Sequence, residues 1–248
     1  MKTDQDVARL IASEASSLLL ELREQGMSQG WDPKDLKDRG DVTSHEHIMQ
    51  RFAELRPDDA VLSEEGADDL GRLSASRVWI VDPLDGTREY SEPGRTDWAV
   101  HIALTVDGVV QFGVVALPAI GQTFDHRARR TSVAPTDQPR ILVSRTRPPP
   151  EAAIVAEAIG AVLVPMGSAG AKTGAILRGE AELYLHSGGQ YEWDLAAPVG
   201  VALSAGLHAT RIDGSAFRFN CESPYLPDAL IGDPLLARRA LAALGIES

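Results

Sequence analysis

The residues with the clearest chemical potential are Asp82-Pro83-Leu84-Asp85-Gly86-Thr87, which directly follow the apolar run Trp79-Ile80-Val81. In a regular strand, residues three apart point to opposite faces. Pro83 stops the ladder, and a turn can then bring the carboxylates of Asp82 and Asp85 to one point, as two hard oxygen ligands. Gly86 lets a backbone come close to a ligand. If a helical turn begins here, the N–H groups of Gly86 and Thr87 form an anion site, and Thr87 can orient a water. An Asp-Pro-x-Asp-Gly turn between elements would use the same residue types, but it needs no apolar strand leading into it.

Two further acidic features can complete such a site. Ser63-Glu64-Glu65 follows the β-rich run Ala60-Val61-Leu62, and Asp194 follows Glu192-Trp193. Each also has a plain reading: paired glutamates suit a solvated face, and Asp194 suits a helix N-cap with Pro198 still in the first turn. Together, acids at strand and helix ends fit a carboxylate cage for Mg²⁺, which takes oxygen ligands along with substrate phosphates. The chain has 24 Lys and Arg against 36 Asp and Glu, a net charge of -12. That balance disfavours nucleic acid as a partner, because its phosphates are bound by Lys and Arg. A bound cation inverts the sign of an acidic pocket, so a small phosphorylated metabolite remains a suitable ligand.

Other motifs carry less. Gly26-Met27-Ser28-Gln29-Gly30 fits G-x-S-x-G, but it follows a helical pattern instead of a strand. His45-Glu46-His47 is not H-E-x-x-H and reads as a solvated helix start. Arg127 to Arg130 reads as a hairpin tip or a phosphate-steering cluster, and Gly167 to Lys172 as a small-residue turn that packs a helix or lets Lys172 meet an anion. The 248 residues contain a single cysteine, Cys221, which excludes an internal disulfide and fits a reducing compartment, so the expected location is cytoplasmic. No apolar run approaches a membrane span, so no membrane partner is expected.

The elements that must position these residues follow from periodicity. The spacing predicts a helix over 4–25 ending before Gly26, a loop over 26–40, and a second helix capped by Thr43 or Ser44 and stopped at Pro57. Short strands are expected at 60–62 and 77–81, and a hairpin within 99–116 turning at Asp107-Gly108. Three prolines ending at Pro150 mark a break. We therefore divide the chain into an N-terminal α+β part (1–145) with the metal-binding core and a C-terminal α/β part (146–248) that completes the site. In the second part, helices at 151–159, 168–178, 194–205 and 234–244 alternate with strands at 161–165, 181–186, 207–212 and 229–231, as in a sheet covered by helices.

Three segments in order, Glu64-Glu65, Asp82 to Thr87 and Trp193-Asp194-Leu195-Ala196-Ala197, carry a family resemblance that extends over nearly the whole chain. The chain resembles the Mg²⁺-dependent, lithium-sensitive phosphatases that include inositol monophosphatase and fructose-1,6-bisphosphatase. Arg88-Glu89-Tyr90 and the lysine of Gly167 to Lys172 look like the branch acting on 3′-phosphoadenosine 5′-phosphate. The resemblance implies an α/β fold, the layered αβαβα sandwich, and a homodimer. It implies a first Mg²⁺ on Glu64, Asp82 and the Leu84 carbonyl, and a second on Asp82, Asp85 and Asp194. Catalysis would rest on Glu64, Thr87 and Asp82, with Thr87 and Glu64 placing the attacking water. Substrate would meet Asp85, Gly86, Thr87, Arg88, Lys172 and Asp194. Where the family has Asp in a Val-Thr-x-x-Asp segment, this chain has Glu46, so Glu46 or Asp41 would hold a third metal. The implied reaction releases the 3′-phosphate to give AMP. Inositol- or sugar-phosphate hydrolysis and non-catalytic binding of a phosphometabolite are the alternatives.

Overall fold

The computed structural model describes residues 2–131 and 138–246. Helix α1 (Asp4–Gln29) starts at a Thr3 cap whose hydroxyl accepts from the Asp6 N–H, and it ends at Gly30 in the left-handed conformation. It does not stop at Gly26. A side chain there would lie 2.8 Å from Leu36, so this glycine permits close helix packing instead of breaking the helix. The expected loop over 26–40 is replaced by the start of α2 (Pro33–Leu55), which Asp32 caps through the Lys34 N–H, with Pro33 at the first helical position. Thr43 and Ser44 therefore lie inside this helix, and His45 and His47 bond Ser63 and Glu14 respectively instead of being merely solvated.

Among the described residues, two five-stranded sheets follow. The first runs β1 (Ala60–Ser63), β2 (Arg77–Asp85), β3 (Ala99–Val106), β4 (Val109–Leu117) and β5 (Gln122–Phe124) in spatial order. Strands β1 and β2 are parallel and the other pairs antiparallel. The β3–β4 hairpin turns at Asp107-Gly108 as expected, with φ of 50° and 75°, the two positive values that a tight hairpin turn requires. Beyond β2, a short helix α3 (Thr87–Ser91) begins.

The second sheet has the order β7 (Val162–Met166), β6 (Arg140–Ser144), β8 (Leu183–Tyr191), β10 (Tyr225–Gly232), β9 (His208–Thr210). Strand β6 lies ahead of the proline run, and the apolar pattern had not marked it. Helices α4 (Pro150–Ile159), α5 (Ala169–Leu177), α6 (Glu192–Ser204) and α7 (Pro234–Ala243) fall close to their expected positions.

Burial arranges these elements as α/β/α/β/α. One face of the first sheet, with Trp79, Val81, Val100 and Ile102, packs on α1 and α2. Its other face, with Val78, Ile80 and Ala103, packs on α5 and α6, which also meet Tyr184 and Ile231 of the second sheet. The far face of the second sheet packs on α4 and α7 through Ile141, Leu185 and Leu230. Among the described residues, no helix is long and apolar enough to cross a membrane.

Candidate metal centre and phosphate site

The site begins where the parallel pair β1 and β2 ends, the carboxyl-terminal edge at which open α/β sheets place ligands. Strand β2 does not stop at Pro83. Asp82 pairs with His101 and Asp85 with Ala99, so three steps on β2 match two on β3. That extra residue is a bulge, and it reverses the alternation so that Asp82 and Asp85 share a face. The Asp82 carboxylate accepts the Leu84 N–H at 3.0 Å, closing the turn on itself. Asp82 and Asp85 are both buried.

Gly86 follows with φ of 85°, and a side chain there would meet the Asp97 carbonyl at 3.0 Å. Gly86 caps α3, whose first N–H groups have no partner within the helix. The Thr87 hydroxyl donates to the Leu84 carbonyl at 3.2 Å. Arg88 is exposed. Asp194 enters from α6. It is not the N-cap but the third helical residue, and its carboxylate reaches back to the Tyr191 N–H at 2.6 Å. Helix α6 starts two residues earlier than expected, so Pro198 lies beyond the first turn and leaves the Asp194 carbonyl without its usual helical donor.

The acids crowd one another. Burial, then Glu64 and Asp85, hold the Asp82 carboxyl well above the ordinary carboxylate range. Burial and the Asp85 charge push Asp194 up to about 8. Loss of hydration and the charges of Asp85, Glu65 and Asp41 push Glu64 up to about 7. Asp41 is also pushed up to about 7, by burial and then by Glu65, whereas the Glu46 side chain is exposed. Carboxylates this close repel unless protonated or bridged by a cation, and a carboxylate-rich set beside the Leu84 carbonyl, which also accepts from Thr87, suits a hard divalent ion. One ligand atom each from Asp82, Asp85 and His101 also lies within 4.8 Å of the others, a group able to hold a metal.

A cavity of about 230 Å³ opens beside Thr87, lined among others by Gly86, Arg88, Arg145, Thr146, Gly167 and Lys172. Lys172 does not present a free ammonium there. Its Nζ donates to the carbonyls of Met166, Gly167 and Ser168 at 3.3, 3.2 and 2.8 Å, and it lies over the Tyr184 ring. A phosphate contact would have to displace one of those bonds. Arg145, from the segment after β6, pairs with Glu92 at 2.8 and 2.7 Å and with Glu89 at 3.2 Å, tying the second sheet to α3. Arg127 and Arg130 are engaged elsewhere, with Asp125 and Asp233.

The sequence reading did not single out His101, Ser168 or Arg145. The signal for His101 was available: it is a titratable residue in the otherwise apolar stretch Trp98-Ala99-Val100-His101-Ile102-Ala103-Leu104. Ser168 caps α5 with φ of 48°, and its hydroxyl donates to Asp85 at 2.5 Å.

These layers and this acidic strand end define a class. The chain belongs to the inositol monophosphatase family, whose model matches residues 1–244. Members of that family are metal-dependent phosphoric monoester hydrolases, and this chain is an enzyme of that kind. Within the class, it is 48% identical over 240 residues to the 3′-phosphoadenosine 5′-phosphate phosphatase of Mycobacterium leprae, covering 91% of this chain and 88% of that one. It is 29% identical over 200 residues to the 3′(2′),5′-bisphosphate nucleotidase CysQ of Escherichia coli, covering 75% and 80%. The crystal structure of CysQ from Bacteroides thetaiotaomicron has the same fold, with a TM-score of 0.76 at 24% identity over 92% of this chain and 96% of that one.

Proposed function

We propose that this enzyme hydrolyses the 3′-phosphate of 3′-phosphoadenosine 5′-phosphate with Mg²⁺, giving AMP and phosphate. The observation that carries the chemistry is the bulge that turns Asp82 and Asp85 to one face beside Asp194 and Glu64. The substrate is supported by the extended identity to relatives named for that reaction.

Glu64, Asp82 and the Leu84 carbonyl would hold one Mg²⁺, and Asp82, Asp85 and Asp194 a second. Asp41, half-buried and near enough to Glu65 to feel its charge, suits a third better than Glu46. Bound Mg²⁺ supplies an acidified water and offsets phosphoryl charge. The chain's own groups do the rest: Gly86 and Thr87 offer backbone N–H to the phosphate, Thr87 and Glu64 position the water, and the Glu64 carboxylate takes its proton. Arg88 meets the second phosphate at the mouth of the adjoining cavity, which Arg145, held by Glu89 and Glu92, also lines. Lys172 acts on the substrate through the turn it grips. The reading includes a homodimer working in the cytoplasm, and light scattering checks the assembly.

Phosphate release from 3′-phosphoadenosine 5′-phosphate, inositol 1-phosphate and fructose 1,6-bisphosphate tests the substrate. A strong preference for the adenosine bisphosphate is expected. Equal or reversed preference would move the function to inositol or sugar phosphates.

A further inference from the structure

Two buried charged side chains take no part in the chemistry described above. Arg72, downstream of the Glu64-Glu65 segment, is 3% exposed, and Glu192, the first residue of α6, is fully buried. A buried charge has to replace its lost hydration with hydrogen bonds, and both residues do so on the same short segment. The Arg72 guanidinium forks onto Asp68, with Nε and Nη2 at 2.6 and 2.8 Å from its two carboxylate oxygens. Its Nη1 donates to the Asn220 side-chain carbonyl at 2.8 Å and to the Cys221 backbone carbonyl at 2.9 Å. The Asn220 amide donates in return to the Arg72 carbonyl at 3.0 Å. From the α6 side, Glu192 accepts the Asn220 N–H on Oε2 at 2.6 Å and the Cys221 N–H on Oε1 at 2.8 Å.

Asn220 and Cys221 are therefore clasped from both sides. The chain of bonds begins at Asp68, four residues after Glu64, and ends at Glu192, two residues before Asp194. Its middle is anchored as well: Phe217 and Phe219 are buried in the core between the sheets, and the Phe219 N–H donates to the Gly108 carbonyl at 3.0 Å. Asn220 holds a φ of 56°, which a non-glycine residue keeps only where its surroundings enforce it. Apolar side chains of similar volume would join these segments at a smaller desolvation cost, so what the two charged residues add is direction.

We infer that Arg72 and Glu192 are positioning residues of the metal centre: by clasping Asn220-Cys221 between them, they set the distance between the segment carrying Glu64 and the helix end carrying Asp194. This rests on the reading that Glu64 holds one Mg²⁺ and Asp194 the other.

Mg²⁺ binding to the metal-free proteins is measured by calorimetry, alongside their thermal midpoints without metal. Arg72→Lys keeps the cation but loses the planar fork. Glu192→Gln keeps the shape but turns an amide donor against one of the two N–H groups. Asn220→Gly changes no charge, tolerates the positive φ and cuts the side-chain link to Arg72. Each is expected to lower Mg²⁺ affinity by about 2–30-fold. The Arg72→Lys/Glu192→Gln double variant should lose no more than the weaker-binding single, because both break one chain. Parental affinity in Arg72→Lys and Asn220→Gly would overturn the inference, since a loss confined to Glu192→Gln is what its missing charge alone gives. Losses that multiply in the double variant would also overturn it, because independent defects add in free energy. If the charge variants do not fold, Asn220→Gly alone decides in the same way. Leu241→Ala, in the core beneath α7, controls for lost stability. It should lower the midpoint and bind Mg²⁺ as the parent does, and a loss of affinity equal to that of the clasp variants would overturn the inference. Asp194→Asn in the same titration separates the two readings. If it binds Mg²⁺ as the parent does, the ligand assignment fails and the inference with it; if it loses Mg²⁺ while the clasp variants bind normally, only the clasp fails.

Discussion

Asp85 and Lys172 sit at opposite ends of one hydrogen-bonded turn, and each has its charge matched differently. Asp85 accepts from Ser168 and the α5 N-terminus, while Lys172 grips the carbonyls of Met166, Gly167 and Ser168 from below. Ser168 is held between them at a φ of 48°, a conformation that costs a non-glycine residue energy and persists only where neighbours enforce it. Lys172→Met should remove the Nζ donor from the carbonyls of Met166, Gly167 and Ser168, the last of which keeps the Lys172 N–H, and lower stability by roughly 1–3 kcal/mol. It should slow hydrolysis of mono- and bisphosphates alike, as substrate kinetics on both would read. A selective loss on the bisphosphate would instead give Lys172 a direct phosphate contact. Gly86 is constrained more simply. Gly86→Ala adds a methyl group 3.0 Å from the Asp97 carbonyl at a positive φ, so a cost of roughly 1–3 kcal/mol and a fall in kcat/KM are expected from denaturation and kinetics.

At the scale of elements, α6 brings Asp194 to the first sheet through two glycines. A side chain at Gly113 of β4 would lie 2.3 Å from the Ala197 carbonyl, and one at Gly200 of α6 would lie 2.6 Å from the Gly113 nitrogen. Gly113→Ala should push α6 outward, destabilise by roughly 1–3 kcal/mol through overpacking, and weaken Mg²⁺ binding because Asp194 moves with the helix. Unchanged Mg²⁺ affinity in this variant would uncouple the packing from the site. The acids at the ends of β1, β2 and α6 were legible in the sequence because each interrupts an apolar pattern. The bulge was not, since a residue count along one strand does not reveal how many steps its partner takes. The early start of α2 was missed because Gly26 and Gly40 outweighed the Asp32-Pro33 cap. Both glycines are in fact close-approach points, Gly40 lying against Tyr90 and Leu84. His101 escaped notice because its partners Asp85, Gly170 and Trp193 come from three separate elements.

For the whole molecule, the acidic cluster makes stability depend jointly on pH and cation. Asp82, Asp194, Glu64 and Asp41 have carboxyl pKa values raised in the folded chain, the last three to about 8, 7 and 7. A raised folded pKa means the native state holds more protons than the unfolded chain between the two values. Stability is then fullest below the ordinary carboxylate value of about 4 and falls as pH rises through the folded values. The metal-free protein should therefore lose thermal stability from about pH 4 to about pH 8 through these groups. Mg²⁺ should restore it most at the alkaline end, by binding the native state alone. Melting curves across pH with Mg²⁺ or with chelator check this, and a Mg²⁺ effect independent of pH would contradict it. The most direct test of the central claim is phosphate release from 3′-phosphoadenosine 5′-phosphate by the parent and by Asp85→Asn, each with and without Mg²⁺. The expected result is rapid release by the parent only with Mg²⁺, and a fall in the folded variant greater than the roughly 10–100-fold that loss of an outer partner costs. Near-parental turnover by folded Asp85→Asn at low Mg²⁺ would contradict the carboxylate cage as the seat of the reaction.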